Sequence, residues 1–531
     1  MKLRTIVKIA ITSSVVLLCS GFALYSFFRL SAAEGQKDFN LYELVPSTTS
    51  AVFVTDDVLE FVAEVDELTC SKNQQYLYVS KLFSYLKQSL YALSEDTPHG
   101  LSRQMNQMLI SFHEPDNERN QVLYCRLGNG DKELVNRFVR KYISSLYPPK
   151  TFIYKGEEII IYPMADGDFL ACYLASDFMA LSFQKKLIEN VIDAYKSGKS
   201  LADDSTFTGI RAPKKSAAAA TIYTRMQGMM GWTEFDMKMK DDFIYFSGVT
   251  HDADTCFAFI NQLRQQQSVK GFPGEVLPST AFYFSRQGIT DWVSLLSYGN
   301  AQGQSVPART SEVQNRDKEF SRYLMENAGQ DLVACLFQRE DTLQGAAAVL
   351  SLSVADVTEA ERMLRALVNA ASADEGRKNP RITFCYTVNK AYPIYRLPQT
   401  TLFEQLTSFA EPTLDVYAAF YGGRLLLAPD ADALAHYIRQ LDKGEVLNGA
   451  MAYQTGMDHL SDSYHFMLMA DFDHIFQQSE NHVRFVPDFF LRNADFFCHF
   501  TLFVQFACAD GVVYPLSLIH ISEPTRLLSI S

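Results

Sequence analysis

The stretch whose reading decides the fold runs from Leu174 to Gly198: LASDFMALSFQKKLIENVIDAYKSG. Its apolar start ends in the turn formers Ala175-Ser176-Asp177, and a second apolar run follows at Phe178 to Ser182. That is the pattern of a β-hairpin. Leu187, Ile188, Val191, Ile192 and Tyr195 then recur at helical spacing, and Gly198 stands where a helix stop belongs. The arrangement returns as Phe420 to Gly444, FYGGRLLLAPDADALAHYIRQLDKG, at a constant offset of 246 residues. Gly422-Gly423 makes the turn, Leu425 to Ala428 the strand, and Leu434, Ile438 and Leu441 the helix stripe. The offset persists downstream, where Phe207 in STFTG maps onto Tyr453 in AYQTG. A gap-free match of hairpin, helix, glycine and aromatic points to an internal duplication; the alternative is that two unrelated α+β segments look alike.

Working outward, the flanking segments match in the same order. Val45-Pro46-Ser47-Thr48 opens the folded part and leads to the strand Ala51 to Thr55, and Leu277-Pro278-Ser279-Thr280 leads to Ala281 to Phe284. Met108 to His113 and Gln121 to Arg126 read as a hairpin, as do Asp331 to Phe337 and Ala346 to Val354. Helical stripes follow at 131–146 and 357–371. A further amphipathic helix is expected over Leu77 to Leu93. Each half closes on a hairpin, with Phe243 to Thr250 returning in the first and Asp510-Gly511 marking the turn in the second. The expectation is an α+β chain of two duplicated halves, each an open antiparallel sheet with helices on one face, following one N-terminal transmembrane helix. The halves span 45–270 and 277–515, with the turn-rich break Gly271-Phe272-Pro273-Gly274 between them. The polar run Asn300 to Arg316 reads as a flexible loop.

The two ends carry their own signals. Residues 1–33 begin MKLRTIVK and continue through Ile9 to Phe28, twenty residues without a charge. That length crosses a bilayer core, and the basic flank keeps the N-terminus cytoplasmic. A cleaved signal with Ser31-Ala32-Ala33 as its site is the alternative. A lipoprotein reading at Cys19 is disfavoured by Leu18 before it. The polar segment 34–44 links this anchor to the rest. An inner-membrane, single-pass protein with its bulk in the periplasm is expected. At the other end, Leu516 to Arg526 reads LSLIHISEPTR and resembles a translation of the adapter used in transposon-based sequencing libraries. The strand signal also falters there, because Pro515 cannot donate a ladder hydrogen bond. Residues 516–531 are therefore expected to be non-native. Their first few residues are expected to borrow pairing at the edge left open by Phe500 to Ala507.

Composition bounds function. The 531 residues suffice for two to four core-forming units, and 47% hydrophobic content is ample for them. The net charge of −13 becomes −17 once Lys2, Arg4, Lys8 and Arg29 are set aside, which argues against nucleic-acid binding. The nine cysteines include no CxxC pair, and Cys125, Cys172, Cys335, Cys385 and Cys508 lie in apolar runs as small hydrophobes.

Catalytic motifs are missing. There is no GxGxxG, GxxxxGK[ST], HExxH or GxSxG. Ser84-Tyr85-Leu86-Lys87 matches SxxK, but no SDN or KTG accompanies it. Asp471, Asp473 and His474 offer metal-ligand types, with the two acids on one face of a strand, although capping is the simpler role. Asp252 and Asp254 beside His251 read as helix caps. Cys498 and His499, adjacent on a strand, would face opposite ways. No catalytic, cofactor or metal residue is assigned. The expectation is a non-enzymatic envelope ectodomain with an interaction or scaffolding role and a possible envelope protein partner. A binding module with an aromatic groove for an apolar or glycan ligand is the alternative, and a hydrolase without a recognised motif stands third.

With Ile9 to Phe28 and Val45-Pro46-Ser47-Thr48 in place, the chain resembles the uncharacterised membrane-anchored envelope proteins of Gram-negative anaerobes. The resemblance implies a single membrane segment ahead of a long ectodomain that opens on a Pro-Ser/Thr strand. It carries no catalytic residues.

Overall fold

A computed structural model describes residues 39–521 apart from 69–105, 114–118, 129–130, 139–146, 165–166, 212–217, 226–231, 241, 251–257, 294, 297–309, 340–344, 375–381, 389, 398, 408–414, 479–490 and 492–493. The first ten strands are β1 (Ala51–Thr55), β2 (Met108–Phe112), β3 (Gln121–Arg126), β4 (Lys150–Tyr154), β5 (Glu157–Pro163), β6 (Phe169–Leu174), β7 (Phe178–Ser182), β8 (Ala220–Thr224), β9 (Thr233–Lys240) and β10 (Phe243–Thr250). After the short β11 (Val269–Lys270) come β12 (Ala281–Gly288), β13 (Ala328–Gln338), β14 (Ala346–Val354), β15 (Ile382–Tyr386), β16 (Ala391–Leu397), β17 (Val416–Tyr421) and β18 (Arg424–Ala428). The chain closes with β19 (Ser463–Tyr464), β20 (Phe466–Asp471), β21 (Phe500–Ala509) and β22 (Val512–Ile521).

Hydrogen-bonded neighbours in the first half run β4, β5, β6, β7, β3, β2, β1, β8, β9, β10. In the second half they run β15, β16, β17, β18, β14, β13, β12, β20, β21, β22. Every junction of one series recurs in the other, and all are antiparallel. The two series then join, because β10 pairs with β22, from Phe243 opposite His520 to Thr250 opposite Val513. The result is one 20-stranded sheet.

This corrects the expected fold class in two ways. The chain builds one continuous, mostly β sheet, where two separate sheets were expected, because the return strands of the two closing hairpins pair with each other. The helices also cover both faces, where one was expected. On one face of the first half, the Val58–Glu67 helix packs over Met108, Ile110, Leu123 and Cys125. On the other, the Leu41–Leu44 turn and the Lys185–Ser197 helix pack over Leu109, Val122 and Tyr124. In the second half, the helices Ser311–Asn327 and Val357–Asp374 cover Leu332, Ala334, Leu350 and Leu352, and the Ala431–Asp442 helix covers Val333, Cys335, Val349 and Leu426. The sequence carried this information: β7 reads FMALS and all five residues are buried. A continuous apolar run of strand length means a strand covered on both faces.

The hairpin–helix units form where the patterns require. Gly198 closes the Lys185–Ser197 helix at φ 61, a left-handed conformation that a side chain would strain. Asp430 caps the Ala431–Asp442 helix by accepting from the Ala433 amide at 2.7 Å. The expected loop over Asn300 to Arg316 is corrected at its C-terminal end. Thr310 caps the Ser311–Asn327 helix there, accepting from the Val313 amide, and Val313, Phe320, Tyr323 and Leu324 supply the buried stripe.

Among the described residues no helix is long and apolar enough to cross a membrane; Ile9 to Phe28 lies outside them. The expected helix over Leu77 to Leu93 also lies outside them. Leu516 to Ile521 continue β22, paired with β21 on one side and mostly with β10 on the other. The outermost strands are β4 and β15. Each leaves apolar side chains in solvent, with Ile153 71% and Phe384 51% exposed.

Candidate functional site

The sheet register identifies matching places in the two halves. Pro46 bridges Ser200, and Pro278 bridges Val446. Eight residues further on stand Val54 and Arg286. Val54 faces Leu109, Leu109 faces Tyr124, and Tyr124 faces Ala180. In the other half Arg286 faces Val333, Val333 faces Ser351, and Ser351 faces Leu426. Two residues outward along the same face, Gln107, Arg126 and Phe178 match Asp331, Ser353 and Arg424.

In the first half this patch is the floor of a cavity of about 220 Å³, lined by Val54, Gln107, Leu109, Arg126, Thr221 and Tyr223 from the sheet. Its roof is Tyr42 and Arg211. Tyr42 lies in the Leu41–Leu44 turn, whose cap Asn40 accepts from the Tyr42 amide. Its ring leans on Phe207, centroids 5.2 Å apart, and Phe207 in turn meets Tyr223 and Trp232 at 5.1 Å each. Phe207 belongs to the Ser205–Ile210 helix, which Asp204 caps. Arg211 is the residue that ends that helix, and its guanidinium lies 4.2 Å over the Tyr42 ring. That is cation–π distance.

Polar groups in the cavity divide into committed and uncommitted. Asp56 accepts from Gln107. Arg126 donates its Nε to the Phe39 carbonyl at 2.6 Å. Thr221 donates to Asp236 at 3.2 Å, and Tyr223 donates to the buried Glu234. The Tyr42 hydroxyl makes no hydrogen bond among the described residues, although the residue is only 8% exposed. The Arg211 guanidinium has no ion pair or hydrogen bond among them either. Burial pushes the Tyr42 phenol up to about 12, with Arg211 opposing and Asp56 and Glu234 adding to the rise. Tyr42 is therefore a hydrogen-bond donor at every physiological pH.

The matching patch of the second half is filled. Asp331 accepts from Arg286 at 3.0 Å and from Arg424 at 3.3 Å, with all three side chains 15% exposed or less. Arg286 also donates to the Gly271 carbonyl at 2.8 Å, and Arg424 to the Ser351 carbonyl at 3.0 Å. Burial works to raise the Asp331 carboxyl. Arg424, a Ser353 hydrogen bond and Arg286 outweigh it and hold the group below its ordinary value.

The candidate residues singled out by type and spacing form no catalytic centre. Asp471 ends β20 and caps the Phe472–Phe476 helix by accepting from the Asp473 amide at 3.1 Å, so the two acids do not share a strand face as expected. His474 bonds Asp471 at 2.9 Å, and that bond, against burial, raises the imidazole. Cys498 and His499 stand in the turn before β21, on no strand. Ser84, Lys87, His251, Asp252 and Asp254 lie outside the described residues. Among the described residues no cluster of three His, Cys, Asp or Glu is placed to hold a metal ion. Ser111, 2.9 Å from His113, is fully buried beneath Tyr124, out of reach of a substrate. Burial raises the Cys125 and Cys172 thiols to about 12, which leaves them inert at neutral pH.

Sequence reading missed both patches. Their members come from separate strands and from a helix end, and Arg211 and Tyr42 carry no motif. Compared with protein families, curated proteins and solved structures, the chain matches none of them.

Proposed function

We propose that the chain is a non-enzymatic, membrane-tethered envelope protein whose folded part binds a small polar ligand in the first-half cavity. One observation carries the reading. The same four-strand patch carries its own buried ion pairs in one half and lines a cavity in the other, where a phenol and a guanidinium are uncommitted among the described residues. A concave site with a few convergent polar groups is the usual form of a small-ligand pocket. The apolar stretch Ile9 to Phe28 supports the tether.

The test is to copy the filled patch into the open one. Val54→Arg with Gln107→Asp places the Arg286 and Asp331 pair at the matching positions. Ligands that raise the melting temperature of the full chain in a broad small-molecule screen should no longer do so in the double variant. A screen in which nothing shifts the parent chain, or in which hits act equally on the filled variant, refutes the reading. A second, partner-binding reading is favoured by the outer strands β4 and β15, whose Ile153, Phe384 and Tyr386 project apolar surface beside backbone that is unpaired among the described residues.

A further inference from the structure

We infer that the ligand of the first-half cavity is a small organic carboxylate, an inference that rests on the ligand-binding reading above. The second half shows what this patch holds when it is complete. There the group received by the arginines is a carboxylate, that of Asp331. In the first half the matching residue is Gln107, whose amide nitrogen donates to Asp56 while its Oε1 has no hydrogen-bond partner among the described residues. The first half therefore keeps arginines around the patch while the built-in carboxylate is gone.

The backbone around the two patches reinforces the comparison. The Gly271 carbonyl takes a guanidinium from Arg286 at 2.8 Å. The matching carbonyl of the first half, Phe39, takes one from Arg126 at 2.6 Å. Each half thus anchors one arginine on the same carbonyl, from a different strand. What differs is the second arginine. Arg424 closes on Asp331, whereas Arg211 is stacked on Tyr42 with its hydrogen-bonding edge uncommitted among the described residues.

Arg211 and Tyr42 together make a carboxylate receptor. The guanidinium offers paired N–H donors in the plane that suits a carboxylate. The phenol, held protonated by burial, offers a third donor from a nearly dry position. Of the carboxylates already present, Asp56 accepts from Gln107 and Glu234 from Tyr223, and neither is hydrogen-bonded to Arg211 or Tyr42 among the described residues. A cavity of about 220 Å³ sets the size at a small molecule, and Val54, Leu109 and Leu41 give its body an apolar wall.

The experiment titrates the full chain in mild detergent with acetate, butyrate, hexanoate and benzoate, and with the corresponding amides and two neutral sugars. Readouts are calorimetry and tryptophan fluorescence, since Trp232 stands two rings from Tyr42. The expected result is saturable binding of at least one carboxylate and roughly 10- to 100-fold weaker binding of its amide. Arg211→Gln and Tyr42→Phe should each weaken the carboxylate by roughly 10-fold or more, whereas Arg362→Gln, on the solvent side of a helix of the other half, should not. Amides or sugars that bind as well as carboxylates, or carboxylate binding indifferent to both Arg211→Gln and Tyr42→Phe, overturn the carboxylate class while leaving a ligand site standing. If no small molecule of any class binds, the ligand-binding reading itself falls. Tyr42→Phe removes one oxygen and keeps the ring under Arg211, so the test survives a folding defect in the arginine variant.

Discussion

At the scale of single residues, Asp331 and His113 mark opposite ways of burying a charge. Asp331 keeps its charge because Arg286 and Arg424 hold it. Asp331→Ala leaves two guanidiniums facing each other in a dry place, and a loss of about 3–5 kcal/mol is expected in urea unfolding. His113 is instead half-buried, and the partial burial pulls its imidazole down to about 4. In the unfolded chain it takes a proton near pH 6.5, about the ordinary value. The stability tied to its neutral form is thus full above about pH 6.5 and lost as the pH falls toward 4. Between pH 7 and pH 4.5 the parent chain should lose roughly 2 kcal/mol more than His113→Gln, and parallel pH curves would contradict this. Neither residue stood out in the sequence. Burial decides both cases, and burial is a property of what packs on a strand from far along the chain.

Elements were the most legible level. The hairpins, the helix stripes and Gly198 follow from spacing alone, since period and turn chemistry are local properties. Gly198→Val should cost roughly 1–2 kcal/mol, because φ 61 presses a branched side chain on its own backbone. Layering is less legible. A fully buried strand such as β7 has no alternation to single out one covered face, and the expectation of helices on a single face fails there. Helix 311–327 hid in a polar run because only one side of it is apolar. The outer strands carry a further expectation. Phe384→Lys on β15 and Ile153→Lys on β4 put charge on open sheet edges. Together they should lower concentration-dependent light scattering without changing the melting temperature, and equal scattering would show that these edges are not where chains meet.

For the whole molecule, the seam between β10 and β22, made largely by residues 516–520 that the sequence reading marks as non-native, decides the architecture. Nothing in either strand announces it, since strand pairing at long range leaves no periodic trace in sequence. Five of its six register pairs, from Phe243 opposite His520 to Ser247 opposite Leu516, use residues 516–520. A chain ended after Pro515 keeps only Thr250 opposite Val513 among them. Its unfolding is expected to split into two transitions, each half melting by itself, where the full chain melts in one. A single unchanged transition in calorimetry would mean that the seam adds little. The cavity belongs to the same lesson: its floor was assembled from β1, β2, β3 and β8, and only the register between strands revealed that Val54 and Arg286 are counterparts.

The seam also has a consequence in time. Val512 follows Thr250 by 262 residues, so β10 leaves the ribosome long before the strand that will cover it. At about 5–20 residues per second the wait is roughly 13–50 s. Local hairpins such as β9–β10 close within about 10 μs, so β10 spends that interval folded on one side and bare on the other. A nascent chain of this protein therefore carries, for about half of its synthesis, a ready template for another nascent chain's strand, and holding that edge apart from its neighbours becomes a task for whatever escorts it.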